Sequence, residues 1–159
     1  MTRVIRAAST VFTPFMAQTG QTNMLKMNLL ESVMTLSFAA PELLADLNQA
    51  ADADLDVLDF GVIGFDAQTQ VQRYNTFESK VSGLSPQRVL GHPLFTVVAP
   101  CMNNFLVAQR FEDAAVQGVS LDAVVDYVLT LRMRPVKVKL RLLAMPTGAT
   151  RYVLVQRNG

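Results

Sequence analysis

The sequence predicts an α+β domain carrying a helical N-terminal extension, and three features point there. A glycine-spaced, aromatic and β-branched segment at 58–66 leads through a turn into a second short strand pattern at 71–74. Three further strand patterns fill the region from 124 to the C-terminus. Between the two groups lie helical turns and loops, punctuated by Gly83, Pro86, Gly91, Pro93 and Pro100. Two strands, then helices, then three antiparallel strands is a segregated arrangement, not an alternating parallel one.

Composition narrows the class. The chain has 159 residues, which is one domain with an appendage or one slightly large domain. Half of it is hydrophobic and the formal net charge is +1, so a core is affordable and no general attraction to nucleic acid is implied. A single cysteine excludes an intramolecular disulfide and fits a reducing compartment. No apolar run approaches a membrane span, and residues 1–22, with Arg3 and Arg6, lack a secretory apolar core. These features predict a cytoplasmic protein with neither a nucleic-acid nor a membrane partner.

In chain order, Met24, Met27, Leu30 and Met34 recur at helical spacing, with Leu25, Leu29, Val33 and Leu36 beside them and Asn23 as N-cap. This stripe reads as a helix packing on its own domain, or as a homodimer or partner surface, since methionine-rich faces adapt to varied contacts. Pro41 and Glu42 open a second helix. The acidic run that follows, with no basic residue between Lys26 and Arg73, reads as a solvated face. Gly61 and Gly64 mark close backbone approach within the first strand. Residues 103–118 read as a helix capped by an asparagine at its start and by Gly118 past its end. The apolar run at 124–134 fits helix or strand, with its β-branched content favouring strand. Val136, Val138, Leu140 and Leu142 alternate with Lys137, Lys139 and Arg141 as a half-buried strand, and Pro146, Thr147 and Gly148 turn the chain into a last strand at 151–157.

The chemistry concentrates between Tyr74 and Cys101. Tyr74 and Glu78 are four residues apart and would share one face on a single helical turn; Ser82 follows at the same interval, although Gly83 and Pro86 suggest that the backbone has left regular helix by then. Cys101 follows Ala99 and Pro100. Taken singly, these residues read as a core tyrosine, an exposed helix glutamate and a small buried thiol. His92, the sole histidine, sits in a turn and offers Cys101 no base, which disfavours cysteine-protease chemistry.

Together, Tyr74, Glu78, Ser82 and the Ala99-Pro100-Cys101 turn resemble the photoactive yellow protein family, from about Leu55 to the C-terminus. The resemblance implies a PAS fold at 53–159 beneath a helical extension at 1–52. It also implies p-coumaric (4-hydroxycinnamic) acid held as a thioester on Cys101, with Tyr74, Glu78, Ser82, Leu84, Pro100 and Met133 around it. A buried phenolate needs donors, so Glu78 is expected to be neutral, its carboxyl raised by burial and by the phenolate. Ser82 stands where the family usually has threonine, and Leu84 where it has an arginine over the pocket. Leu129 and Leu131 replace flanking aromatics, and Tyr152 replaces a tryptophan. Arg132 or Arg134 is a candidate for the missing cation.

The function so implied is a blue-light photoreceptor that is not an enzyme. Light isomerises the pigment, Glu78 gives up a proton, and the N-terminal region is released towards a downstream signalling protein whose identity stays open. The N-terminal helices are expected over the sheet face away from the pigment, with Lys137, Lys139 and Arg141 pointing to solvent or towards the acidic 42–59 stretch. Deleting residues 1–50 is expected to slow recovery and spare the dark colour. The rival readings are a pigment-free PAS module for a small ligand or protein, and a thiol redox sensor with an exposed, acidic Cys101.

Overall fold

In the computed structural model, residues 36–130 and 134–158 are described, and they fall in one compact unit, Leu36–Gly159. Two short helices come first, α1 (Leu43–Gln49) and α2 (Asp52–Asp56), followed by strands β1 (Gly61–Phe65) and β2 (Val71–Tyr74). Helices α3 (Thr76–Ser82) and α4 (Pro86–Val89) lead into a wide turn at Leu94–Val98 and a tight one at Pro100–Met102. Helix α5 (Ala108–Gln117) then precedes β3 (Leu121–Leu129), β4 (Val136–Ala144) and β5 (Arg151–Arg157). The five strands form one sheet in the order β2-β1-β5-β4-β3, and every neighbouring pair is antiparallel. The α+β class read from the sequence is therefore the class observed.

Strand alternation divides the core into two layers. Ile63, Phe65, Val138, Leu140, Leu142, Val153 and Val155 face one side, where α5 and the loops before it pack through Phe95, Met102 and Phe111. Val62, Leu143, Tyr152 and Leu154 face the other side, beneath Leu36, Phe38, Leu43, Leu47 and Leu55. Tyr74, Leu84 and Cys101 all border the first layer, so the candidate site and the 36–58 segment lie on opposite faces.

Two arginines join that segment to the sheet. Arg73 of β2 donates to the Leu47 and Ala50 carbonyls, each at 2.6 Å, and to Asp52 at 3.0 Å. Arg141 of β4 is buried and donates to the Phe38 and Ala40 carbonyls at 2.7 and 2.8 Å, while both its Nε and Nη2 meet Asp122. Arg141 thus points neither to solvent nor to the acidic stretch. It is Arg73 that meets that stretch, because β2 passes beside α1 and α2. The alternation read at 136–142 also holds only for the start of β4. From Leu140 onward both faces are covered, and every residue of the strand is buried.

Local chemistry explains the element ends. Gly83 and Gly118 close α3 and α5 in the left-handed region, with φ of 73° and 64°. Helix α5 starts five residues later than the sequence pattern suggests, at Ala108, because Asn104 is used otherwise. Its Oδ1 accepts the Leu106 and Val107 amides at 2.9 and 3.3 Å, ordering a turn instead of starting the helix. The close approaches read at Gly61 and Gly64 are present: a Cβ at 61 would lie 2.0 Å from Glu78 Oε2, and one at 64 would lie 3.0 Å from the Tyr152 ring. The 24–35 part of the methionine stripe lies outside the described residues, whereas Leu36 and Phe38 are buried.

Candidate functional site

Asn75 builds the first half of the site. It is the N-cap of α3, and its Oδ1 takes the Glu78 amide at 3.2 Å and the Val62 amide at 2.9 Å. Its Nδ2 donates to the Leu55 and Phe60 carbonyls, both at 2.9 Å. One buried amide thus fixes the start of α3 against β1 and the segment before it. From that fixed start, Glu78 and Ser82 follow one turn apart on the buried face of the helix.

Tyr74, the last residue of β2, reaches Ser82 with 2.6 Å between the hydroxyl oxygens. Ser82 Oγ also accepts the Leu84 amide at 3.2 Å, so Leu84 enters the site through its backbone as well as its apolar side chain. When Ser82 gives its proton to Tyr74, the Tyr74 proton is free for another acceptor. Burial pushes the Tyr74 hydroxyl up to about 12, with the neighbouring Glu78 adding to the rise, and the Ser82 hydrogen bond and Arg157 opposing it. At neutral pH this residue is a donor.

Glu78 is buried, with a side chain 2% exposed, and its two oxygens receive Nη1 and Nη2 of Arg157 at 2.7 and 2.9 Å. The sequence leads to the expectation of a neutral Glu78 beside the pigment, with Arg132 or Arg134 as the candidate cation for the pocket. Arg132 lies outside the described residues and Arg134 is exposed, while the cation that meets Glu78 is Arg157, from the end of β5. Residues 78 and 157 meet only because β5 pairs with β1, whose Gly61 lies against the carboxylate. No local pattern in the sequence announces such a contact.

The second half is the loop carrying the thiol. Leu94–Val98 winds as a wide π-type turn, with Val98 and Ala99 donating to carbonyls five residues back, at Pro93 and Leu94, at 3.1 and 2.7 Å. Such turns displace the backbone locally and recur at functional sites. Pro100 is exposed and opens the tight turn holding Cys101, a free and partly buried thiol. The Cys101 carbonyl receives the Tyr127 hydroxyl and, at 2.9 Å, Asn104 Nδ2, and these two donors also bond each other at 2.6 Å. Cys101 is therefore anchored through its main chain while its thiol is left available. Leu129 is buried in the same apolar layer; Leu131 and Met133 lie outside the described residues.

The donor set suits an aromatic acid attached at one end and hydrogen-bonded at the other. A thiol on an anchored turn, a phenol that keeps its proton, and the apolar side chains of Leu84 and Leu129 all border one layer of the core, while the buried Glu78 carboxylate is held by Arg157. Asn75, Asn104, Tyr127 and Arg157 were not singled out as site residues from the sequence: Tyr127 and Arg157 act through contacts distant along the chain, and Asn75 and Asn104 combine distant contacts with bonds to residues two or three positions away.

No family model matches the chain. The photoactive yellow protein of Rhodothalassium salexigens is 35% identical over 106 residues, covering 67% of this chain and 84% of that protein. The crystal structure of the photoactive yellow protein domain from the sensor histidine kinase Ppr of Rhodospirillum centenum superposes with a TM-score of 0.65 at 34% identity, covering 71% of this chain and 98% of that domain. A PAS domain from Colwellia psychrerythraea, at a TM-score of 0.52 and 14% identity over 71% of this chain and 96% of that one, shares the fold. With that identity carried across most of its relatives' length, and with the PAS sheet order beneath it, the chain belongs to the photoactive yellow protein family.

Proposed function

We propose that this protein is a blue-light receptor carrying p-coumaric acid as a thioester on Cys101, and that it signals by a structural change and not by catalytic turnover. The observation that carries this reading is the convergence of the Cys101 turn and the Tyr74–Ser82 pair on one apolar layer. When bound, the group supplies a conjugated double bond that light isomerises from trans to cis, and a phenolate oxygen that needs donors. Tyr74, oriented by Ser82, donates its hydroxyl proton. Glu78, when protonated, would be the second donor to that oxygen and the group holding a proton that can pass to it. The Cys101 amide bonds the thioester carbonyl, while Tyr127 and Asn104 hold the Cys101 main chain still. Leu84 and Leu129 keep water from the pigment.

The signal is a loosening of the N-terminal region, passed to a separate signalling protein in the cytoplasm. The related domain in Rhodospirillum centenum is part of a sensor histidine kinase. A partner of that signalling class, or a second copy of this chain, is the expected receiver. Among the described residues no helix is long and apolar enough to cross a membrane.

Supplying the purified protein with an activated p-coumaroyl thioester tests the reading. One p-coumaroyl group should be gained in mass, with visible colour that bleaches in blue light and returns in the dark. Cys101→Ala should remain colourless. Covalent colour surviving in that variant, or an unmutated protein that stays colourless, defeats the proposal and favours a pigment-free PAS module.

A further inference from the structure

The pigment reading asks Glu78 to hold a proton and then lose it, and in the structure one arginine meets that side chain. Both carboxylate oxygens face the Arg157 guanidinium in a two-pronged pair, 2.7 Å from Nη1 and 2.9 Å from Nη2, with the two side chains 2% and 13% exposed. Such a fork is the arrangement an ionised carboxylate takes with arginine. The space it occupies is opened by Gly61. A Cβ at that position would fall 2.0 Å from Glu78 Oε2 and 2.9 Å from its Cδ, so any side chain there excludes this position of the carboxylate. Gly61 is not among the glycines with positive φ, so it is the missing side chain, not an unusual backbone, that the position exploits.

We propose that Arg157 is the counter-cation of ionised Glu78, reached through the opening at Gly61, and that this pair holds the carboxylate in the lit state. The proposal rests on the pigment reading above. A proton leaves a Glu78 carboxyl oxygen for the phenolate oxygen. The O–H bonding electrons stay on Glu78, the phenolate becomes a neutral phenol, and one negative charge has moved onto Glu78 beside Arg157. Tyr74 shares this neighbourhood, feels both charges and stays protonated. A buried carboxylate left alone is costly enough to force the domain open. One met by a guanidinium is less costly, so the pair lengthens the lit state, and recovery requires Glu78 to leave Arg157 and recapture a proton.

A merely structural ion pair would stabilise the fold and leave the light reaction alone, so the test compares Arg157→Gln, Arg157→Lys and Gly61→Ala in pigment-loaded protein. The expected result is that all three take up pigment, and that the lit state of Arg157→Gln and Gly61→Ala returns about tenfold faster, with Arg157→Lys in between; a tenfold change corresponds to about 1.4 kcal/mol. Infrared difference spectra should show a smaller loss of the protonated-carboxyl band on illumination in Arg157→Gln. A pigment-free arm reads the pair directly. Glu78 should be a carboxylate in the unmutated protein and protonated in Arg157→Gln, with the band assigned by its absence in Glu78→Gln. Normal pigment uptake with unchanged lifetimes in both Arg157→Gln and Gly61→Ala overturns the assignment while sparing the pigment reading, as does a protonated Glu78 in the unmutated pigment-free protein. Failure of the unmutated protein to take up pigment overturns both, and the pigment-free spectra then show whether the pair itself exists.

Discussion

The Asn75 side chain receives the backbone N–H of Glu78 at 3.2 Å, so the residue that caps α3 also sets the height of the carboxyl above β1. The same side chain bonds Val62, Leu55 and Phe60, and all its donors and acceptors are used inside the protein. Asn75→Ala would take their Asn75 partner from the buried Val62 amide and the Phe60 carbonyl, leave the Leu55 carbonyl with the Leu58 amide as its donor, and remove the helix cap. A loss of about 3 kcal/mol of unfolding free energy is expected, from about 1 kcal/mol for the cap and about 1–3 kcal/mol for each stranded group, partly recovered by water. Urea denaturation measures it; a loss below about 1 kcal/mol would mean that the four bonds are replaceable.

Much of this fold could be read from local pattern, and the site only half so. Gly61 and Gly64 announced backbone contact because a glycine in a strand has little other use. Gly118 announced a helix end, and the alternation from Val136 announced β4. The pattern failed where one residue's role is decided by a strand far along the chain. Arg141 looks like an outward residue of an alternating strand, yet it is buried because two carbonyls from 38–40 and Asp122 satisfy it. Asn104 looks like a helix cap and instead, together with Tyr127 of β3, holds the Cys101 carbonyl. Arg157 looks like a solvated terminal arginine and instead faces Glu78.

Tyr74 should give the protein a measurable alkaline sensitivity. The unfolded phenol loses its proton near pH 10, whereas burial holds the folded one up to about 12. Between those values the folded state carries the extra proton, so stability is fully present below pH 10 and falls as pH rises towards 12. The slope from this one group is at most about 1.4 kcal/mol per pH unit, reduced by its partial exposure. Tyr74→Phe should flatten the stability profile over that window and remove a tyrosinate absorbance step near its upper end. An unchanged profile would show that Tyr74 is reached by water more freely than its burial implies.

Arg141→Met tests the tie between β4 and the 38–40 segment. Methionine keeps an apolar stem but strands the Phe38 and Ala40 carbonyls and frees Asp122, which is itself half exposed and readily solvated. A cost of about 2–3 kcal/mol is expected, below that of breaking a fully buried pair. Hydrogen exchange should quicken across residues 36–50 more than in β1 or β5. Uniform quickening throughout the domain would mean that this segment does not open separately.

Truncation separates the role of the segment on the sheet from that of the residues before it. Leu36, Phe38, Leu43 and Leu47 are buried against Val62, Leu143, Tyr152 and Leu154. Removing buried side chains of this size costs about 2–5 kcal/mol each, so losing four approaches the whole stability of a domain, about 5–15 kcal/mol. Deleting residues 1–50 should therefore give an unstable or aggregating protein, and not the intact dark protein expected from sequence. Deleting residues 1–35 keeps all four side chains, together with the Arg73 and Arg141 ties, and should leave a folded protein that binds pigment with little change in dark colour. In that shorter protein, illumination should still raise hydrogen exchange in residues 36–50, because Asn75 links Leu55 and Phe60, which follow that segment in the chain, to the amide of Glu78. Equal exchange of 36–50 in the dark and in the light would mean that the proton released by Glu78 is not felt on the far face of the sheet.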